Sequence, residues 1–183
     1  MVILNKNFKN NVLKTRKDFL KKIKQQENNN ELIIGIDLST SSTGIAIINK
    51  NKEIIFIDNL EKVGNIRDNN LIDFYISINI ILNKFKPKLA IIEDVFYGLN
   101  FKAVSALLKY HGILELILIN KNIDYYYTQT NICKAFFKCK HKEEIFELLN
   151  KKYNLNFNFE KDNDKTDALM LALNFENEKV IKK

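Results

Sequence analysis

Apolar residues along this chain recur in two rhythms. From Leu32 onward they fall into short β-rich runs at 32–37, 43–49 and 53–58, separated by a Ser/Thr-rich turn and an Asn-Lys turn. Three strands in such close succession predict an antiparallel meander. The rhythm then changes. Leu71, Phe74, Ile78, Ile81, Leu82 and Phe85 recur every three or four residues, which predicts a helix over 68–85 ended by Pro87. Leu89-Ala90-Ile91-Ile92 is continuously apolar, as a strand buried on both faces must be. A long helix over 99–120 and a strand over 123–128 follow. Helices near 129–137, 141–152 and 164–175 complete the chain, with an irregular Asn-Phe-Asn-Phe-Glu-Lys-Asp segment before the last. Upstream, Val12, Phe19, Leu20 and Ile23 suggest an amphipathic helix within 8–26, before a Glu-Asn-Asn-Asn linker. The order implies an α/β fold: a mixed five-stranded sheet, with three antiparallel meander strands plus two parallel ones, and helices on both faces.

A chain of 183 residues suits one ordinary domain with appendages, here a domain over 31–183 and an extension over 1–30. The hydrophobic share of 46% argues for a packed core in spite of the many asparagines. Charge is unevenly spread. Residues 1–30 hold eight basic residues against Asp18 and Glu27, so +6 of the net +7 lies there. That distribution fits an arm that holds polyanions through counterion release, or equally a solvated helical tail. No apolar run reaches the ~18 residues of a membrane span and the basic start lacks a signal-peptide core, so a cytoplasmic protein is expected. Cys133 and Cys139 are expected to be reduced thiols; with His141 they lack the paired spacings and fourth ligand of a zinc site.

The candidate chemistry lies in carboxylates at element ends. Asp37 closes the first strand in Ile-Ile-Gly-Ile-Asp-Leu-Ser-Thr, and Glu93 closes the apolar strand Leu-Ala-Ile-Ile-Glu-Asp. Two acids at the ends of adjacent central strands face one cleft, where open α/β sheets place ligands. In Asn-Asp-Lys-Thr-Asp-Ala-Leu, a spacing of three puts Asp164 and Asp167 on one side of a first helical turn, suited to its positive end. Taken singly, Asp37 could cap a turn and the other two a helix start. Together they would repel unless divalent metal neutralised them.

The Gly-Ile-Asp opening with its downstream Thr-Gly, the Ile-Ile-Glu-Asp-Val-Phe segment, the long helix containing His111-Gly112 and the closing Asp164-Lys-Thr-Asp167-Ala-Leu resemble the RuvC family of Holliday-junction resolvases over most of 32–175. The resemblance implies an RNase H-like fold and a structure-selective endonuclease acting on four-way and other branched DNA. It also implies Asp37, Glu93, Asp164 and Asp167 as ligands of two Mg²⁺ ions, with Mn²⁺ a substitute, and products carrying 5′ phosphate and 3′ hydroxyl ends. Phe96 matches an aromatic set against DNA at the junction centre, with burial in the core as its plainer role. Lys134 resembles a lysine near the scissile phosphate, and Lys142 a second one, for which Lys138 and Lys140 compete. Paired incisions of a pseudo-symmetric junction call for a homodimer. The helix over 99–120 is expected to form it through Leu107, Leu108, Leu114 and Leu118, unless these leucines pack on their own sheet. The family's Pro-Gly after the first aspartate is Leu38-Ser39-Thr40 here, a departure that points to a divergent or phage-type member. The sequence does not name a helicase partner.

Three other readings compete. A nuclease of the same fold could prefer flaps, forks or RNA–DNA hybrids. The Gly-Ile-Asp-x-Ser-Thr-x-x-Thr-Gly pattern also resembles the phosphate turn of actin-like ATPases, which need a second domain that this length does not supply. A non-catalytic junction binder is the third, and it leaves four like charges without a use.

Overall fold

The computed structural model describes residues 31–61, 67–95, 98 and 101–177. The extension over 1–30 and Phe96 lie outside them. The elements run β1 (Leu32–Asp37), β2 (Ser42–Asn49), β3 (Ile54–Glu61), α1 (Arg67–Phe85), β4 (Leu89–Glu93), α2 (Phe101–Asn120), β5 (Asp124–Thr128), α3 (Thr130–Phe136), α4 (Lys142–Tyr153) and α5 (Phe159–Leu173), then a 3₁₀ turn at Asn174–Glu176.

The five strands form one sheet in the order β3-β2-β1-β4-β5. β1 pairs antiparallel with β2, placing Asp37 opposite Gly44, and parallel with β4, placing Ile36 beside Ile92. β4 in turn pairs parallel with β5. The three-strand meander and the two parallel additions are therefore as the apolar runs predicted. The residues that end β1 and β4 emerge at the same edge of the sheet.

Because side chains alternate across a strand, the two faces build separate cores. Ile34, Ile36, Ile45 and Ile47 pack with Phe74, Ile78 and Leu82 of α1 and Leu114 and Leu118 of α2. On the other face Ile33, Ala46, Ile48 and Ile91 meet Ile145 and Leu149 of α4 and Leu169, Ala172 and Leu173 of α5. Each Ile, Leu or Phe side chain so taken out of water stabilises the fold by ~1.5–3 kcal/mol before chain entropy is counted.

Three features differ from the sequence reading. β3 runs on to Glu61, because its ladder with β2 continues as far as the Ser42–Glu61 pair. α5 begins at Phe159 rather than 164. The Asn158 side chain accepts from the Glu160 amide at 3.0 Å, and the Asp162 carboxylate accepts from the Asn158 amide at 2.9 Å. The Phe159 ring meets Phe146 edge-on at 5.1 Å. What reads as an irregular Asn/Phe segment is a capped helix start anchored by an aromatic pair. Asp164 and Asp167 consequently sit five and eight residues after the first helical residue, beyond reach of the N-terminal dipole, which Glu160 and Asp162 complement instead.

The third difference concerns α2. Leu114 and Leu118 are fully buried in their own sheet's core and Leu107 packs partly against it, so these leucines are not surplus. The outward apolar residues are Phe101, Leu108, Leu116 and Ile119, at 85%, 45%, 58% and 59% exposure. By length and composition α2 is also apolar enough to cross a membrane, although Lys102, Lys109, His111 and Glu115 interrupt its apolar run. It packs as a core helix through Val104, Tyr110, His111, Leu114, Ile117 and Leu118.

Candidate active site

The site is assembled by how closely α5 lies on the sheet. A Cβ on Gly44 would come within 2.0 Å of the Asp164 carbonyl oxygen, and one on Gly35 within 2.0 Å of the Ala168 carbonyl. Only residues without a side chain permit this approach. It lays the helix across β1 and β2, and brings Asp164 and Asp167 to the strand edge where Asp37 and Glu93 emerge. Asp37 does not cap the β1–β2 turn. That turn is held by Thr43, whose hydroxyl donates to the Ser39 carbonyl at 3.1 Å, and by a Ser39–Ser41 hydroxyl contact at 3.1 Å. The Asp37 carboxyl is left to the site.

Burial pushes the Asp37 carboxyl well above the usual carboxylate range; a hydrogen bond with Glu93 and the charges of Glu93, Asp167 and Asp164 push it further. Burial likewise raises Asp167, although the neighbouring Lys142 ammonium opposes the rise. One Asp167 oxygen pairs with Lys142 Nζ at 2.5 Å, while the other, Oδ1, is buried with no hydrogen-bond partner. Lys142 also donates to Asn163 Oδ1 at 2.8 Å. Burial alone would lower its pKa, yet the carboxylates of Asp167, Asp37 and Asp164 outweigh that and hold the ammonium above its ordinary value. A buried acid oxygen without a donor is expensive unless something cationic meets it.

All four predicted carboxylates thus interact at one sheet edge, and Lys142 reaches them. Among the described residues, no three Asp, Glu, His or Cys side chains converge closely enough to ligate a metal in this arrangement. The Lys142 ammonium, paired with Asp167, offsets part of the repulsion among the four acids. Lys134 lies half-buried on α3, and Lys138 and Lys140 are exposed on the turn that follows it. Among the described residues, no hydrogen bond or ion pair ties these three to the carboxylates. The zinc grouping does not form: the buried Cys133 thiol lies 3.7 Å from the Thr128 hydroxyl, whereas the Cys139 thiol donates to the Phe137 carbonyl at 3.6 Å and His141 is exposed.

Two residues of the site were not foreseen. Thr130, the first residue of α3, donates its hydroxyl to Glu93 Oε1. Asn163 holds Lys142 while its amide nitrogen donates to the Phe159 carbonyl at 2.9 Å. Neither carries a sequence signal beyond adjacency, Thr130 to a strand end and Asn163 to Asp164.

The family model described as crossover junction endodeoxyribonuclease RuvC matches residues 33–175. A RuvC from Campylobacter curvus is 31% identical over 151 residues, which is 79% of this chain and 96% of the relative. One from Fusobacterium nucleatum is 30% identical over 148 residues, 77% of each chain. Among solved structures, Thermus thermophilus RuvC in complex with Holliday junction substrate superposes with a TM-score of 0.71 over 81% of this chain and 94% of its own, at 14% identity. The Fowlpox virus resolvase in complex with substrate junction DNA gives 0.54 over 79% and 95%, at 15% identity.

Proposed function

The chain belongs to the RuvC family of crossover junction endodeoxyribonucleases, and from that membership we propose that it is a structure-selective endonuclease that resolves four-way and related branched DNA. The observation that carries the chemistry is the carboxylate centre at the ends of β1, β4 and along α5, with an orphaned buried oxygen on Asp167.

Oxygen-only donors, with soft ligands absent from the cluster, fit Mg²⁺, with Mn²⁺ able to replace it. Asp37, Glu93, Asp164 and Asp167 would hold two such ions. Bound there, divalent ions would lower the pKa of the attacking water and stabilise the departing 3′ oxygen, leaving 5′ phosphate and 3′ hydroxyl ends. The protein's own groups do the positioning. Glu93 is oriented by the Thr130 hydroxyl. Lys142 has three N–H donors; Asp167 and Asn163 occupy two, which leaves one for a non-bridging phosphate oxygen as negative charge develops. Lys134 on α3, and Lys138 and Lys140 between α3 and α4, serve as phosphate contacts, and the basic extension over 1–30 acts as a further arm on DNA.

The outward stripe of Phe101, Leu108, Leu116 and Ile119 on α2 gives a self-complementary surface for a homodimer, which would set two active sites for paired nicks.

The test is a panel of labelled four-way junction, flap, fork, duplex and RNA–DNA hybrid with Mg²⁺ or Mn²⁺. Paired nicks confined to the junction establish a resolvase. Equal cutting of flaps and hybrids would make it a general nuclease of this fold, and tight binding without cutting a junction-binding module.

A further inference from the structure

The chain leaves the carboxylate centre at Thr130 and returns to it at Lys142. Thr130 is bonded to Glu93 and Lys142 to Asp167, so the intervening segment is pinned to the active site at both ends. It is also ordered internally. α3 closes with Lys138 in the left-handed region at φ 58°; the Lys138 amide donates to the Ala135 carbonyl at 3.0 Å, and the Cys139 amide to the Lys134 carbonyl at 3.0 Å. Further on, the Lys140 amide donates to the Glu144 carboxylate at 2.8 Å.

On the outer side of this segment stands Phe136, 43% exposed. Its ring meets that of Phe137 edge-on at 5.3 Å, and Phe137 packs on the core beneath, so the exposed ring leans on a buttressed neighbour. Between 134 and 142 the sequence carries Lys134, Lys138, Lys140 and Lys142 and no acid. An exposed aromatic ring among lysines is the combination that binds unpaired nucleotides: the lysines track phosphates and the ring takes a base. Six residues of helix place Phe136 ~9 Å along the axis from Thr130, about three steps at the ~3.4 Å spacing of stacked nucleotides.

Resting on the nuclease reading above, we propose that Phe136 is a stacking platform for an unpaired base within about three nucleotides of the cut, with Lys138 and Lys140 holding that nucleotide's flanking phosphates. The segment makes the enzyme selective for DNA that can present a splayed base beside the scissile phosphate, as branch points can and continuous duplex cannot. Phe136 is a binding residue here and touches none of the reacting atoms.

The test uses the full chain and a four-way junction whose incision positions have first been mapped, with 2-aminopurine placed singly at each of the three nucleotides on either side. Fluorescence is read in EDTA, where no strand is cut. The wild type should quench or shift one position; Phe136→Tyr should preserve that signal. Phe136→Leu should lose it and bind roughly five-fold or more weakly, with an unchanged melting temperature. Lys138→Gln with Lys140→Gln should lower the slope of log affinity against log salt by about two. Wild-type fluorescence changes and affinity in Phe136→Leu, in protein that still cuts the junction, would overturn this inference alone. A wild type that neither binds nor cuts any branched DNA would overturn the nuclease reading and this inference with it.

Discussion

Gly44→Ala tests whether the close seating of α5 creates the active site. The added Cβ would stand 2.0 Å from the Asp164 carbonyl oxygen and 2.6 Å from its carbonyl carbon, both backbone atoms that cannot rotate away. Ordinary contact begins near 3.4 Å, so the helix must retreat by about 1.4 Å (3.4 minus 2.0) at Asp164. Overpacking of this kind costs about 1–3 kcal/mol, and a shift of ~1 Å in a positioned catalytic group costs about 100-fold in rate. The variant should therefore unfold at lower urea, by an amount corresponding to that range, and cut a four-way junction at least 100-fold more slowly at saturating Mg²⁺. Gly35→Ala, meeting Ala168 and Ala172 instead, should cost comparable stability, since its clash lies farther down the same helix. Wild-type cleavage and stability in Gly44→Ala would refute the claim that the glycine seats the helix.

Further outcomes follow from the site and the surface. Asp37 has a folded pKa above its unfolded one, so the folded state binds more protons between the two values and metal-free stability falls as pH rises through that window. In EDTA, Asp37→Asn should thus melt above the wild type at neutral pH, with the gap closing as pH falls to the ordinary carboxylate value. Mg²⁺ should reverse the order by stabilising only the wild type, by about 2.7 kcal/mol at 100 times its Kd; equal melting at every pH and metal level would contradict this. On α2, the wild type should sediment as a dimer and Leu116→Glu with Ile119→Lys as a 21.5 kDa monomer, with monomer stability within ~0.5 kcal/mol; a monomeric wild type, or a variant of unchanged mass, would refute the proposed α2 interface. Burial raises the Cys133 thiol to about 11, so a thiol reagent at pH 8 should label Cys139 in the native protein and Cys133 only after denaturation. Rapid labelling of both in the native state would show that the core beside Thr128 is open.

The strands and the two carboxylates at their ends were legible because a continuous apolar run marks a strand buried on both faces, and each run stops where its acid begins. Asp37 and Glu93 could be placed together from the sequence. Asp164 and Asp167 were legible by spacing, but their depth in the helix was not. Asn158 and Asp162 satisfy the helix start several residues earlier, in a segment whose asparagines and phenylalanines resemble a loop. The role of Gly35 and Gly44 was hidden for another reason: a glycine in an apolar strand reads as a weak strand residue until the helix above it is known. On α2, helical periodicity identified the helix without saying which leucines face the sheet. Leu114 and Leu118 took the core and left Leu116 and Ile119 outside. Thr130 and Asn163 act through one hydrogen bond each, a contact made across the fold and not encoded by local spacing.

The most direct test of the central claim is single-turnover cleavage of an end-labelled immobile four-way junction by the wild type and by Asp37→Asn, with junction binding measured in parallel. The account predicts Mg²⁺-dependent paired nicks from the wild type, and junction binding retained with cleavage abolished in Asp37→Asn. Undiminished nicking by Asp37→Asn would contradict it.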